Sequence, residues 1–463
     1  MNNKVKIFLI QYLPLLTIVW CVFMLLSLKT GWLNIFFYDS DNLHVQGIDY
    51  FALPKTFLNL KEGISMFDTW GGSPYGPYAT WYLGHPAFGL FVCSWFSFFN
   101  PWTSYWFFIL FSFLLMVLSA WFMAKEATTT LSKRLIWFLM LFGFPTFWMF
   151  YVGNMHAPLI LALTFIFLAL HLFSLPINSQ RNEKLANKYL MAGLLISFFS
   201  KPIVLLMLPL LLLMKKTRKT TFISLIIYGI VSLLFIAVPF LNPEAIGFKN
   251  IIYLLSNPDF VKQHMNIYQN QFVLNAYMKD NSIHWFNLIA QSDFRLMHID
   301  VFSFPVFFDT LLGYPLNAGW YKLPIYITLL LSFFVPFIQD KEVKYQLALL
   351  LLVSISLTFF LSYNTVWEYQ YASLVPVLGI LVLQYNRTVF YRRWIPILLL
   401  ICFISSLPNF YFLLRGKEIS AISLFLIRFN HILPVIVLFI VSIFLIVKKL
   451  ITSDINFSKI IAN

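Results

Sequence analysis

The sequence predicts an all-α, polytopic membrane protein of about twelve transmembrane helices, and three observations lead to this fold class. Of the 463 residues, 60% are hydrophobic and only 11% are charged, whereas soluble domains carry about 25% charged residues. Apolar runs of about 20 residues, each long enough to cross a bilayer, recur along the chain. Short basic clusters lie beside these runs, as the positive-inside rule produces. This composition excludes a water-soluble multidomain enzyme.

The apolar runs give the predicted spans in order. The first run is too long for a signal-peptide core and is followed by Lys29, so we expect an uncleaved first helix. The runs lie near residues 5–28, 83–100, 104–124, 135–152, 155–175, 189–214, 220–241, 321–338, 345–363, 369–385, 394–414 and 428–447.

We predict that residues 1–463 form a single integral-membrane domain with three parts. Residues 1–241 form an N-terminal module, which includes a long external loop at 30–82. A second long external loop covers 242–320, and residues 321–463 supply the C-terminal transmembrane helices. Loops of such length are usually functional, because most connections in compact proteins are short.

The net charge of +14 is carried by short clusters beside apolar runs. This distribution favours anionic lipid headgroups as partners and not nucleic acid. The clusters are Lys4 with Lys6, Lys215 to Lys219, Arg387 with Arg392 and Arg393, and Lys448 with Lys449. The three cysteines, Cys21, Cys93 and Cys402, lie far apart inside apolar runs, which indicates neither a disulfide nor a metal site.

A cytoplasmic N-terminus places most basic clusters in the cytoplasm and both long loops outside. Two stretches conflict with this orientation if every run crosses: Lys125 with Lys133 and Arg134, and Arg181 with Lys184 and Lys188. Re-entrant segments at 83–100 and 189–214 would remove both conflicts. The Lys201-Pro202 step, midway through the second of these runs, favours such a break.

The segment from Tyr38 to Pro86 is the first long break between apolar runs. It holds five of the 18 acidic residues, Asp39, Asp41, Asp49, Glu62 and Asp68. Within it, Pro54 to Glu62 is predicted to be a short helix, since proline suits a first turn and Gly63 suits the end. Asp49 then lies just ahead of the positive end of that helix, which favours an ionised carboxylate.

Four motifs carry a resemblance to a known family. The first loop holds Gly47-Ile-Asp-Tyr-Phe-Ala-Leu, Tyr75-Gly-Pro-Tyr and His85-Pro86-Ala-Phe. Gly153-Asn154-Met155-His156 and the Ala192 to Pro202 segment follow, and Trp367-Glu368-Tyr369-Gln370-Tyr371 comes late. In this order they resemble GT-C superfamily glycosyltransferases, in particular the polyprenyl-phosphate-mannose-dependent mannosyltransferases. This chain departs from the branch at two positions. The late motif of the branch often carries a histidine where this chain has Gln370, and the Gly-x-x-Asn segment of the branch corresponds here to Gly153-Asn154, in which the asparagine directly follows the glycine.

The resemblance implies a sugar donor on a lipid phosphate and an acidic residue of the first external loop as base. Residue chemistry agrees, because inverting transfer needs one carboxylate to accept a proton from the attacking hydroxyl. A lipid phosphate leaves as a stable anion, so a nearby cation helps more than a second acid. Asp49 is the first choice for the catalytic base because of its Gly-Ile-Asp-Tyr context. Asp41 and Asp39 are the alternatives, and an ordinary loop acid or helix cap is the simpler interpretation.

Asp39 and Asp41 also raise the question of a metal. They are two residues apart, so a strand would place them on one side. No third ligand is evident, and neither a divalent metal nor another cofactor is expected. The substrate is then a polyprenyl-phosphate sugar without an accompanying ion.

Lys201 is the clearest charge in the middle of an apolar run, and such residues usually face a cavity and serve function. We expect it to attract the donor phosphate, although a lysine that reaches the headgroup region is an alternative. The other residues to which we assign substrate binding are His85, His156, His264, Arg295, Glu368, Tyr371, Tyr75 and Tyr78. The simpler interpretation of these is surface residues, packing histidines and an interfacial aromatic belt.

The resemblance therefore implies an inverting, multi-pass glycosyltransferase of the bacterial cytoplasmic membrane. It would transfer one sugar, mannose or similar, from polyprenyl phosphate to a glycolipid, polysaccharide or protein acceptor on the outer face. A flippase or exporter of lipid-linked glycans and a glycan polymerase are the alternatives. No acidic residue lies in the middle of a predicted span, which disfavours ion-coupled carriage. Arg295 is the only arginine of the second loop, whereas glycan polymerases usually concentrate arginines in such loops.

Overall fold

The protein is described by a computed structural model that covers most of the chain. The described residues are 3–37, 46–61, 69, 82, 84–175, 180–234, 302–312, 314, 316–317, 319–363, 366–385, 387–388, 390–414 and 421–453. Within these ranges the secondary structure is helical and no strand is present. The predicted all-α class is therefore confirmed.

The N-terminal half contains ten helices within the described ranges. Thr129 caps the fifth with its side-chain oxygen on the backbone N–H of Ser132, and prolines occupy the first turn of several others, both being favourable starts. The helices are α1 Asn3–Thr30, α2 Ala52–Lys61, α3 Pro86–Phe96, α4 Pro101–Lys125, α5 Thr130–Leu141, α6 Phe144–Val152, α7 His156–Ser174, α8 Gln180–Ser200, α9 Pro202–Leu213 and α10 Lys215–Leu234.

The C-terminal half follows residues 235–301, which lie outside the described ranges. A 3-10 helix, Glu368–Leu374, leads directly into α14. The helices are α11 Phe304–Leu312, α12 Trp320–Phe337, α13 Lys341–Ser362, α14 Val375–Gln384, α15 Ile395–Ile404, α16 Tyr411–Leu414 and α17 Ala421–Ile451.

Membrane-length helices confirm a polytopic membrane protein. Seven helices in the described ranges are long and apolar enough to cross a bilayer, and α5 with α6, bent by 44°, would make an eighth. Several predicted spans are shorter pieces, because Pro202, Pro376 and Pro396 each lie in the first turn of a new helix. The run at 220–241 is described only as far as Leu234, where α10 ends.

The predicted span at 189–214 is a helical hairpin. Lys201 has extended backbone angles, φ −139° and ψ 110°, and separates α8 from α9. Beyond the hairpin, Lys216 Nζ lies 2.7 Å from Glu183 Oε2, and Thr220 Oγ1 donates to Asn187 Oδ1 at 2.6 Å. These two contacts show that α10 runs beside α8 in the same direction, because residue numbers rise together along both helices. Helix α9 therefore returns the chain to the end at which α8 began. The chain reverses at Lys201, as the re-entrant interpretation requires.

Basic residues from separate clusters gather at one end of the helix bundle, which we call the basic end. Lys216 lies 5.6 Å from the ring centroid of Phe173, and this ring lies 5.7 Å from that of Tyr345. Gln384, close to Arg387 in sequence, contacts His171 at 2.8 Å. Glu126, Ser132 and Arg387 lie close together at the same end. The basic end therefore joins Lys125, Lys216, Arg387 and the start of α13.

Burial distinguishes two central helices from their neighbours. In α13 the whole 18-residue apolar window is buried inside the protein, and in α7 the buried share is 94%. The corresponding share is 28% in α1 and 22% in α10, whose outer faces carry exposed aliphatic and aromatic side chains. Helices α7 and α13 thus form the interior, and their neighbours supply the surface that lipid would cover.

Candidate functional site

The turn between α6 and α7 is the base on which the site is built. Gly153 adopts a left-handed conformation, φ 72°, and the backbone N–H of Asn154 donates to Met149 O at 3.0 Å. This is the Schellman ending of a helix, for which glycine is favoured. A Cβ on Gly153 would lie 2.3 Å from Cβ of Tyr50. The glycine therefore lets the first loop lie directly on the turn.

Backbone hydrogen bonds hold Asp49 at this turn. The N–H of Gly47 donates to Tyr151 O at 2.8 Å, and that of Asp49 donates to Val152 O at 2.9 Å. Carbonyls in the last turn of a helix have no partner within the helix, and the loop supplies donors for them. The Tyr105 hydroxyl donates to Phe150 O at 3.0 Å and fixes the same helix end from α4. The position of Asp49 is thus set by backbone hydrogen bonds to the end of α6.

Four side chains from three parts of the chain meet at this point, and we call them the Asp49 cluster: Asp49, Asn154, His156 and Lys201. Asn154 Nδ2 donates to Asp49 Oδ2 at 2.6 Å. Lys201 Nζ, from the reversal between α8 and α9, donates to Asn154 Oδ1 at 2.8 Å and lies 2.9 Å from His156 Nδ1. His156 Nδ1 and Asn154 Oδ1 are 2.6 Å apart. The sequence-predicted candidates Asp49, His156 and Lys201 are therefore brought together.

The polarity of the Asn154 amide follows from its neighbours. Its carbonyl oxygen faces a lysine ammonium and its amino group faces a carboxylate, so the amide joins a positive to a negative group. Asp49 and Lys201 also attract each other electrostatically. Both side chains are half-buried, whereas His156 is fully buried behind them. The cluster offers a carboxylate and a cation side by side, in a setting drier than bulk water, where their charges act more strongly.

A second buried polar group, the Glu368 cluster, consists of Glu368, Asn409, His431 and the Ser405 carbonyl. Asn409 Nδ2 donates to Glu368 Oε2 at 2.6 Å, and its backbone N–H donates to Oε1 at 3.2 Å. His431 Nε2 lies 2.5 Å from Oε1, and its Nδ1 lies 2.9 Å from Ser405 O. All three side chains are fully buried. We assigned Glu368 to sugar binding, and the structure places both of its oxygens against protein groups.

The remaining described candidates lie apart from the carboxylate of Asp49. His85 Nδ1 accepts the N–H of Ala87 at 3.1 Å as the cap of α3, and its Nε2 lies 3.1 Å from Ser232 Oγ. The Tyr371 hydroxyl donates to Phe302 O at 2.7 Å. The ring of Tyr369 lies 5.8 Å from that of His156, so the Glu368 cluster adjoins the Asp49 cluster through this neighbour.

Several candidates fall outside the described residues. Asp39, Asp41, Tyr75, Tyr78, His264 and Arg295 all belong to this group. The question of an Asp39–Asp41 metal pair lies there too. In the part of the chain that the structure describes, no three His, Cys, Asp or Glu side chains are grouped as a metal would require.

Three residues of these clusters were missed as site candidates. Asn154 stood in the resemblance motif, but its role as a link between charges was not foreseen. Its position directly after a glycine, between two apolar runs, was the available signal. Asn409 and His431 gave none, because they lie 41 and 63 residues after Glu368 and sit in unremarkable apolar sequence. Only the folded arrangement pairs them.

Comparisons with protein-family models, curated proteins and solved structures give no significant match for this chain. We therefore infer function from the geometry of the Asp49 cluster, from the membrane architecture and from the motif resemblance.

Proposed function

We propose that the protein is an inverting glycosyltransferase of GT-C type with about twelve spans, which transfers one sugar from a polyprenyl-phosphate donor. The observation that carries this proposal is the Asp49 cluster, in which Asn154 joins a carboxylate to the ammonium of Lys201. Transfer from a lipid phosphate needs this pair of charges: an acceptor for the proton of the attacking hydroxyl and a cation for the departing phosphate.

The reaction assigns one task to each charge. The acceptor hydroxyl oxygen forms a bond to the anomeric carbon while the bond from that carbon to the phosphate oxygen breaks. The hydroxyl proton moves to the carboxylate of Asp49, and the electron pair of the broken bond stays on the phosphate. Lys201 stabilises the phosphate charge. Mannose or a similar hexose is the proposed sugar, and a glycolipid, polysaccharide or protein is the acceptor.

The position of the cluster supports an outward-facing site. It lies where α6 ends, α7 begins and α8 ends, whereas the basic end lies at the opposite termini of α7 and α8. A helix of 19 residues such as α7 separates its ends by about 28 Å, close to the hydrocarbon thickness of a bilayer. Because basic residues favour the cytoplasmic side, we assign the basic end to the cytoplasm and Asp49 to the outer face of the bacterial membrane.

The test uses purified full-length protein in lipid with a labelled panel of polyprenyl-phosphate sugars. Asp49→Asn is expected to lower the transfer rate by roughly 10²- to 10⁴-fold, as loss of a general base does. Lys201→Gln is expected to raise the donor KM, and Lys201→Arg to restore part of the loss. Glu342→Gln, which removes an exposed acid at the basic end, is the matched control and should leave turnover unchanged.

The same panel contains the outcomes that contradict the proposal. Turnover that survives Asp49→Asn but is lost in Asp41→Asn would move the base to Asp41. If no donor is used, the protein is not a transferase of this kind.

A flippase or exporter of lipid-linked glycans is the second candidate, and one observation favours it. Glu368 and His431 form a titratable pair that is fully buried in the helical core. Ionisable groups within membrane proteins often belong to proton pathways. Translocation of a lipid-linked glycan by wild type, abolished in Glu368→Gln, together with no sugar transfer, would support carriage in place of catalysis.

A further inference from the structure

A groove at the basic end combines cationic and apolar walls. Lys215, Arg218, Lys219 and Phe222 line it from α10, and Leu212 lines it from the end of α9. Its volume is about 460 Å³. The four residues of α10 are spaced i, i+3, i+4 and i+7, which places them on one face of the helix. Three positive charges and a phenyl ring thus share a single surface.

The position of these charges along α10 is electrostatically unfavourable. Lys215 is the first residue of the helix, and all three cations lie in its first two turns. The N-terminus of a helix carries a partial positive charge of its own, so it favours anions and disfavours lysine or arginine. Helix N–H groups and three cations together form a strongly positive region, which an anion would neutralise.

Two basic side chains near the groove, those of Lys216 and Arg218, already donate to protein groups. Lys216, on another face of α10, pairs with Glu183 at 2.7 Å. Arg218 Nε donates to Leu212 O at 2.9 Å, which fixes the guanidinium at the groove and uses one of its five N–H donors. The carboxylate of Glu183 is therefore directed to Lys216, while the described residues that line the groove include three cations and no acid.

An apolar stripe continues from the groove along the same helix. Phe222, Ile226, Ile230 and Leu233 follow at spacings of four, four and three residues, and each is at least 45% exposed. From Phe222 to Leu233 the stripe extends about 16 Å, which is half the hydrocarbon thickness of a bilayer. Its length matches the acyl chain of a lipid whose headgroup lies at the cations.

We propose that the groove at Leu212, Lys215, Arg218, Lys219 and Phe222 binds an anionic phospholipid of the membrane leaflet at the basic end. The phosphate lies among the three cations, and an acyl chain follows the stripe toward Leu233. Charge complementarity selects an anionic over a zwitterionic headgroup, and the apolar stripe selects a lipid over a free anion. This site is independent of sugar transfer, because it lies at the opposite end of the bundle from Asp49.

The test measures binding of phosphatidylglycerol to the full chain in detergent by native mass spectrometry, with phosphatidylcholine and glycerol phosphate as comparison probes. Wild type is expected to retain phosphatidylglycerol in preference to both. The triple variant Lys215→Gln, Arg218→Gln, Lys219→Gln should bind it roughly 100-fold more weakly, since each surface cation contributes about fivefold.

The matched control removes the same charges from another part of the basic end, through Lys125→Gln, Lys133→Gln and Arg134→Gln, and should reduce binding less than threefold. An equal loss in the control would overturn the site in favour of a general surface charge. Equal retention of glycerol phosphate, or of phosphatidylcholine, would also overturn it. If the triple variant does not fold, Lys219→Gln alone should weaken binding about fivefold, and an unchanged affinity would contradict the proposal.

Discussion

At the scale of single residues, the Asn154 side chain shows how an uncharged group organises two charged ones. Its carbonyl oxygen accepts from Lys201 and its amino group donates to Asp49. The amide offers an acceptor and a donor on one short planar group without carrying a charge. A carboxylate at this position would still accept from Lys201, but it would face Asp49 with a second acceptor in place of a donor.

This reasoning predicts that Asn154→Asp is more harmful to activity than Asn154→Ala. The aspartate places a negative charge where a donor now lies 2.6 Å from Asp49, and like charges at such a distance repel. The alanine only removes the link. We expect the transfer rate to fall roughly 10²-fold or more in Asn154→Asp and about tenfold in Asn154→Ala, consistent with a positioning role.

The measurement is the initial rate with a labelled polyprenyl-phosphate sugar, with thermal unfolding as the control for folding. Equal rates in the two variants would mean that the polarity of the amide has no part in the reaction.

Sequence reasoning at this scale reached Asp49 and Lys201 and missed Asn154, Asn409 and His431. Lys201 was predicted from the cost of a charge within an apolar run, and Asp49 from its motif. These signals are strong because ionised groups are expensive away from water. Asn409 and His431 have no fixed spacing to their partner Glu368, so nothing in the sequence distinguished them, and Asn154 was marked only by its place in the motif.

At the scale of helices, close contact between α7 and α8 depends on a glycine. A Cβ on Gly193 would lie 2.7 Å from Ala162 O and 2.8 Å from Ile166 Cγ1. Small residues are enriched where membrane helices approach closely. His156 begins α7 and Lys201 follows the end of α8, so both lie at the same end of this helix pair. The separation of the helices therefore fixes the geometry of the site.

We predict that Gly193→Leu destabilises the protein by about 1–3 kcal/mol, the usual cost of an overpacked interface. The matched control is Gly229→Leu on α10, where no atom of the described residues lies within 4 Å of an added Cβ. Thermal unfolding in detergent should show a lower Tm for the first variant only. A similar Tm for both would mean that the two helices separate at little cost.

The 3-10 helix Glu368–Leu374 is tied to α17 by the Glu368 cluster, and this connection gives another prediction. Removing one partner of a buried, hydrogen-bonded pair leaves the other without compensation, which typically costs about 3–5 kcal/mol. Glu368→Gln and His431→Gln should each lower stability, and the double variant should lose much less than the sum. Additive losses in a double-mutant cycle would show that the two side chains do not depend on each other.

Prediction of the elements succeeded for long apolar runs; where prolines divide a run, composition gave a span and the Lys201-Pro202 step gave the re-entrant alternative. The runs at 104–124 and 345–363 correspond to Pro101–Lys125 and Lys341–Ser362. The run at 189–214 has the composition of a span, yet its chain reverses at Lys201. Hydropathy shows whether a segment is apolar but not the direction in which the chain runs. The reversal is therefore recognised only from contacts in the folded protein, such as that between Glu183 and Lys216.

At the scale of the whole molecule, the gathering of basic residues gives a testable orientation. Thr103, at the start of α4, lies at the opposite end of that helix from Lys125. In intact cells, Thr103→Cys should react with a membrane-impermeant thiol reagent, whereas Lys133→Cys and Lys219→Cys should react only after permeabilisation. Cys93 and Cys402 are buried and Cys21 is half-buried, which keeps the background low.

The reverse labelling pattern would place the basic end outside and would contradict an outward-facing Asp49. Labelling of both Thr103→Cys and Lys133→Cys from outside, with Lys219→Cys protected, would instead show that α4 does not cross the membrane.

The hydrogen bond between His171 and Gln384 has a consequence for the order of events during translation. The two bonded side chains are 213 residues apart in sequence. At translation speeds of about 5–20 residues per second, roughly 10–40 s elapse between the ribosome's completion of the first partner and of the second. During that interval the imidazole of α7 lacks the side chain of Gln384 as a hydrogen-bond partner, so the polar contact between α7 and α14 is completed only after residue 384 has been synthesised.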